Sequence, residues 1–228
     1  METKKLCSVA IDGPAGAGKS TVAKAAAARF GFIYVDTGAI YRTLGLAARR
    51  ADVDPHDAEK VMALLRTLSI RFDYAADGSQ HMFLNGEDVS GLIRTPEISL
   101  YASAVSAIPE VRSFLLDMQR DMAKTTSVVM DGRDIGTVVL PDAGLKVFLT
   151  ASAEARARRR FLELQAKGDP AAYDEVLADM LVRDKNDSTR AAAPLKAAED
   201  AVLVDTSEMT LEESIDRLCA LVRERFGL

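Results

Sequence analysis

The chain has 228 residues, enough to bury a full hydrophobic core, and its length fits one large domain with room for inserted lobes. Hydrophobic residues make up 48% and charged residues 28%, as in an ordinary globular protein, and a net charge of −5 argues against non-specific nucleic-acid binding, leaving only a local basic patch open. No apolar stretch approaches the ~18 residues of a membrane span, no cationic, apolar leader opens the chain, and Cys7 and Cys219 lack metal or redox spacing, so the expected setting is reducing cytoplasm away from membranes.

Residues 6–11 read as a buried strand, with Cys7 as a small core residue. Residues 13–20 read GPAGAGKS, a match to G-x-x-x-x-G-K-[ST], and the Ala-rich stretch 21–29 reads as a helix. Strand, glycine loop and helix form the context in which backbone N–H groups and a helix N-terminus can cradle an anion. Gly13, Pro14, Ala15, Gly16, Ala17, Gly18, Lys19, Ser20 and Thr21 are therefore candidate ATP contacts. Lys19 would reach the β- and γ-phosphates, and the Ser20 hydroxyl would ligate Mg²⁺.

A second strand, Ile33–Asp36, precedes a helix over 39–50. The segment 52–107 breaks the rhythm. Ile70, Phe72 and Tyr74 alternate with Arg71 and Asp73, Asp77-Gly78 marks a turn, 81–84 is another strand, and Asn85-Gly86 is a hairpin signal. These predict a small antiparallel lobe. Val128–Asp131, 146–149 and Val202–Asp205 are further short apolar strands, 152–194 is helical and Arg-rich, and Leu211–Phe226 closes the chain as a helix with Leu211, Ile215, Leu218 and Val222 on one stripe and Cys219 in the core. The fold class is α/β: a P-loop-type five-stranded parallel sheet with helices on both faces, a small antiparallel inserted lobe and a short helical lid.

Ligands of such sheets bind beyond the carboxyl ends of the strands. Three strands end in aspartate, at Asp36, Asp131 and Asp205, although Asp205 could equally cap the last helix. Asp36 or Thr37 could simply cap the following helix, or Arg42 could fork onto a phosphate and Tyr41 stack on a base. Asp131 sits where an aspartate helps to hold Mg²⁺ in P-loop proteins, and Arg133 and Asp134 leave the same strand end. Arg183, Asp187 and Arg190 fall at i, i+4 and i+7, one helical face from which arginines could neutralise a migrating phosphoryl group. Arg156, Arg159 and Arg160 also share a face; they read either as surface ion pairs or, for Arg156 and Arg160, as contacts to ATP. His56 and His81 are the only histidines, and neither lies near a motif. An alcohol acceptor usually wants a general base, whereas a phosphate monoester, with a second pKa of about 6, is already ionised. A chain rich in placed arginines and poor in bases suits a phosphate acceptor.

Together these pieces resemble the bacterial cytidylate kinases of the nucleoside monophosphate kinase superfamily. The matching stretches are IDGPAGAGKST (11–21), DTGAIYR (36–42), GEDVSGLIRTPEIS (86–99), DGRDIGTVV (131–139) and Arg183 with Asp187, Arg190 and Pro194. The resemblance implies a core of 1–38, 125–155 and 195–228, an acceptor-binding lobe of 39–124 with inserted strands at 68–89, and a lid of 156–194. It implies ATP-dependent phosphorylation of CMP and dCMP with Mg²⁺ held by Ser20 and Asp131, and a monomer. The acceptor would be held by Asp36, Thr37, Tyr41, Arg42, Ser103, Arg112, Arg133, Asp134 and Asp187, and Lys19, Arg183 and Arg190 would be catalytic. The Ser103, Arg112, Asp134 and Asp187 roles rest on the resemblance. Thr37 stands where many family members have serine, which keeps the hydroxyl. Two other readings stay open. A shikimate-type kinase would leave the inserted lobe and the DGRD stretch unexplained, and a nucleotide switch would want an Asn-Lys-x-Asp motif that the chain lacks.

Overall fold

The computed structural model describes residues 6–75, 78–166, 168 and 170–228. Five parallel strands, β1 (Ser8–Asp12), β2 (Ile33–Asp36), β6 (Val128–Asp131), β7 (Leu145–Thr150) and β8 (Val202–Asp205), form one sheet in the order β2-β6-β1-β7-β8. Their apolar runs are continuous because both faces are covered. Val9 and Ile11 pack with α1 (Lys19–Phe30) and α8 (Leu211–Phe226), while Ala10, Val128 and Met130 pack on the opposite face against Leu116 and Met122 of α5 (Pro109–Thr125). The alternation follows from the two-residue period of a strand. Cys219 lies fully buried among the α8 stripe, as expected.

Boundaries moved by a residue or two for local reasons. β1 starts at Ser8 and runs through Asp12, so Leu6, expected in the strand, is 43% exposed, and Cys7 is only half-buried. α1 begins at Lys19, straight after Gly18, and α2 (Thr37–Arg50) begins two residues early because the Asp36 carboxylate accepts from the Ala39 N–H. Thr210, in a capping box with Glu213, starts α8; Asp205 instead accepts from Ser207, so its capping role falls away.

Between β2 and β6 lie α2, α3 (Ala58–Leu65), α4 (Pro96–Ser106) and α5, around a three-stranded antiparallel sheet of β3 (Ile70–Tyr74), β4 (Gln80–Leu84) and β5 (Glu87–Asp88). Asn85 and Gly86 take the φ values of 51° and 90° that a two-residue hairpin needs, and β5 is the short strand that this turn creates. Asp77, in the other expected turn, lies outside the described residues. Ile40, Leu44, Leu65, Met82, Ile93 and Leu115 give this region a core of its own. The Arg-rich segment forms two packed helices, α6 (Ala153–Ala166) and α7 (Tyr173–Thr189). Among the described residues no helix is long and apolar enough to cross a membrane.

Candidate active site

The carboxyl ends of β1, β2 and β6 converge with the glycine loop, and their side chains form one buried polar crevice. Gly13 has φ 149°, and a Cβ there would sit 1.9 Å from the Leu149 carbonyl oxygen, so the loop leaves β1 against β7 only with glycine at this position. The backbone brings Lys19 back over the loop. It is 5% exposed, and its Nζ donates to the Pro14 carbonyl at 2.8 Å. Burial, and after it the nearby Arg133 guanidinium, pull its pKa down to about 7.

Ser20 and Asp131 meet as expected, the hydroxyl donating to Asp131 Oδ2 at 3.0 Å. Tyr34, which the sequence does not flag, donates to Oδ1 at 2.7 Å, and the Thr37 hydroxyl donates to the Asp131 carbonyl at 2.8 Å. Burial, and then the charge of Asp36, raise the pKa of Asp131. One carboxylate and one hydroxyl are the sparse oxygen set that suits Mg²⁺, which takes its remaining ligands from substrate phosphates and water.

Asp36 takes the capping role expected of it and adds an ion pair that the sequence does not flag. It caps α2 and pairs with Arg42 Nη2 at 2.7 Å, with Arg94 Nη2 at 3.7 Å. Arg94 was not singled out beforehand. Arg112 pairs with Asp134 and also donates to the Ser106 carbonyl at 3.2 Å, one turn beyond the half-buried Ser103 on α4. Its guanidinium stands 5.7 Å from the centroid of the Tyr41 ring, so one neighbour of that ring is already an arginine rather than open space for a base. Arg133 Nε donates to Asp187 Oδ2 at 2.8 Å. Burial alone would raise the pKa of Asp187, but Arg133 and Arg183 outweigh it and hold the carboxyl below its ordinary value. Arg190 lies just past the end of α7; its Nε donates to the Ala193 carbonyl, and its Nη2 approaches Asp134 at 3.9 Å without a hydrogen bond.

The hydrogen bonding of this crevice is incomplete. Arg42 Nε, Arg183 Nε and Arg190 Nη2 are buried with no hydrogen-bond partner among the described residues. Burial, and then Arg133, lower the pKa of Arg183 to about 10. Buried donors left without an acceptor are costly, and phosphate oxygens are acceptors of the kind they lack.

The 156–160 cluster divides. Arg156 is 4% exposed and is held by protein: it donates from Nε to the Ala151 carbonyl at 2.8 Å, from Nη1 to the Ala15 carbonyl at 3.0 Å, and from both Nη atoms to Asp184. It thus ties the glycine loop to α7. Arg159 donates to the Thr206 hydroxyl and carbonyl, and Arg160 pairs with Glu163 on its own helix, the surface reading.

The apolar run ends at Ile11, so the sequence pattern leaves Asp12 outside the strand and does not flag it. Its two oxygens accept from Ile135 N–H at 2.6 Å and Gly136 N–H at 2.7 Å, fastening the loop's base to the segment that carries Arg133 and Asp134. Burial pushes its carboxyl up to about 6, against those two N–H groups. With the folded value above the unfolded 3.8, the folded state holds the proton more tightly, so the contribution to stability is full below pH 3.8 and is lost as pH rises through 6, by about 3 kcal/mol. Urea unfolding of the chain and of its Asp12→Asn variant is expected to give a stability difference that moves by about that amount between pH 4 and 7. A pH-independent difference would remove this titration.

The family model described as cytidylate kinase matches residues 9–224. A protein named cytidylate kinase from Caldicellulosiruptor bescii is 50% identical over 217 residues, covering 95% of this chain and 96% of that protein. Another of that name, from Mycolicibacterium paratuberculosis, is 53% identical over 218 residues and covers 95% of each. Among solved structures, an uncharacterized protein from Eubacterium ventriosum shares the fold at 12% identity and a TM-score of 0.51, covering 96% of this chain and 99% of that one. A family match over almost every residue, with half of the residues identical to these relatives, means that the chain belongs to the cytidylate kinase family.

Proposed function

We propose that this chain transfers the γ-phosphoryl group of Mg·ATP to CMP and dCMP, giving ADP and CDP or dCDP, as a cytoplasmic monomer acting in pyrimidine nucleotide metabolism. The observation that carries this reading is the set of three buried guanidinium nitrogens without a hydrogen-bond partner among the described residues, on Arg42, Arg183 and Arg190, together with a loop lysine near Arg183 whose charge burial disfavours. The names of its relatives support the acceptor.

In this reading the residues fall into a core of 1–38, 125–155 and 195–228, an acceptor lobe of 39–124 and a lid of 156–194. Residues 13–21 hold the donor phosphates, with Lys19 at the β- and γ-positions. Ser20 and Asp131 would hold Mg²⁺. Mg²⁺, when bound, supplies neutralisation of the charge on the β- and γ-phosphate oxygens. Arg42, Arg112 and Arg133 fix the acceptor phosphate and Asp36, Asp134 and Asp187 orient them. Thr37, Tyr41 and Ser103 complete the acceptor pocket. Arg183 and Arg190 close over the migrating group and exclude water. Arg156 serves ATP through the Ala15 carbonyl, and Arg160 would meet ATP only by leaving Glu163.

No base is needed, since the attacking phosphate oxygen is ionised at neutral pH. The three carboxylates on the acceptor side are committed in keeping with this. Asp36, Asp134 and Asp187 each pair with an arginine rather than standing free to take a proton. Catalysis then rests on positioning and electrostatics.

Asp187 provides the test within the site. Besides holding Arg133, its carboxylate is read as meeting the part of the acceptor that distinguishes CMP from UMP and dCMP, so Asp187→Ala is expected to lower the ratio of kcat/KM for CMP over UMP, and for CMP over dCMP, by about fivefold or more, equivalent to about 1 kcal/mol. Unchanged substrate ratios would remove Asp187 from acceptor selection.

A further inference from the structure

β2 is an edge strand of the five-stranded sheet. The N–H of Ile33 donates to Ser127 on the β6 side, so in a strand of alternating direction the polar groups of residues 34 and 36 face away from β6, toward the open edge. An open edge in a buried setting leaves peptide groups without partners. Here the antiparallel sheet inserted between β2 and β6 supplies them with side chains. The Tyr74 hydroxyl, from β3, donates to the Tyr34 carbonyl at 3.0 Å. Gln80, from the start of β4, does more. Its Oε1 accepts from the Asp36 N–H at 2.8 Å, and its Nε2 donates to the Asp36 carbonyl at 3.4 Å and lies 3.2 Å from Met82 Sδ. One amide thus imitates a neighbouring strand for a single residue.

That residue is the one whose side chain caps α2 and holds Arg42. Gln80 is 8% exposed and Asp36 5%, so the contact is dry. Asp36 has extended backbone, φ −86° and ψ 92°, at the point where strand turns into helix. Without a partner on its outer edge this peptide can rotate, and the carboxylate and Arg42 rotate with it.

We propose that Gln80 is a positioning residue for the acceptor site: by holding the Asp36 peptide on both its N–H and its C=O, it fixes the Asp36–Arg42 pair that receives the acceptor. The inserted sheet thereby sets acceptor affinity from outside the pocket. This rests on reading Asp36 and Arg42 as acceptor-side residues.

Gln80→Met keeps the length and volume of the side chain and removes both hydrogen bonds to the peptide. With purified full-length chain and saturating Mg·ATP, the KM for CMP is expected to rise about tenfold, while the KM for ATP stays within twofold. Tyr74→Phe removes the other edge bond without touching Asp36. It is expected to lower the unfolding midpoint comparably and to leave the KM for CMP within twofold. A wild-type KM for CMP in Gln80→Met overturns the inference, and so does an equal rise in Tyr74→Phe, because general edge covering would then be the whole effect. Should Gln80→Met fail to fold, Gln80→Glu retains the oxygen that accepts from Asp36 N–H, and replaces the donor to its carbonyl and to Met82 Sδ with an oxygen. A threefold or greater rise in KM for CMP against an unchanged KM for ATP supports the inference there, and no selective rise overturns it. If the unaltered chain does not phosphorylate CMP, the acceptor reading fails before any variant is compared.

Discussion

Lys19→Met is expected to lower kcat/KM for ATP about 10³-fold, about 4 kcal/mol of transition-state stabilisation, and not to lower the thermal unfolding midpoint. The two halves have the same cause. The lysine is packed beneath the loop, 5% exposed, with the Pro14 carbonyl as its hydrogen-bond partner among the described residues and with Arg133 and Arg183 nearby. Burial and those like charges pull its pKa from 10.5 to about 7. For a basic group lowered on folding, the charged form is disfavoured in the folded state, so the penalty is full below pH 7 and disappears as pH rises toward 10.5. Methionine fills the same space without the charge. Steady-state kinetics and a melt followed by circular dichroism at pH 7 check both halves. Activity within tenfold of the unaltered chain would take Lys19 out of the mechanism.

Arg183→Ala is expected to lower kcat about 10³-fold while the KM for ATP stays within about threefold. Arg183 is on α7, the helix that Arg156 and Asp184 join to the glycine loop. Its Nε has no partner among the described residues, and burial, followed by Arg133, lowers its pKa to about 10. Burial and Arg133 disfavour its charge in the resting fold more than Asp187 favours it, so its removal should leave the unfolding midpoint unchanged or raised. Arg183→Lys is not a conservative control, because a point charge cannot replace the planar fork. A rise in the KM for ATP that accounts for the whole loss would make Arg183 a binding residue of the donor instead. A collapse in the unfolding midpoint would make it a residue of the fold.

What could be read in advance was local. The glycine loop announces itself because its chemistry is packed into eight consecutive residues. Asp36 and Asp131 were found because they end apolar runs, and the topology of a parallel sheet delivers strand ends to one side. Asn85-Gly86 gave its hairpin because the turn is chosen by φ alone. What escaped was long-range. Tyr34 looks like a core aromatic until its hydroxyl is seen on Asp131, 97 residues away. Gln80 lies one residue before the strand expected at 81–84, and nothing marks it until β4 is seen to start there and to meet Asp36. Asp12 was hidden by a one-residue error at the end of β1, although an aspartate between a buried strand and a glycine loop was signal enough to raise the question. Arg156, Arg159 and Arg160 share a helical face but have three different partners, at 28, 47 and 3 residues' separation. Helical spacing finds the face and is silent about what packs against it.

The most direct measurement is coupled ADP release with Mg·ATP and a panel of acceptors: CMP, dCMP, UMP, AMP and shikimate. Fast turnover on CMP and dCMP, at least tenfold above every other acceptor in kcat/KM, is the expected result. Preferred turnover of shikimate or AMP, or no turnover on any acceptor while ATP still binds, would contradict the proposed function.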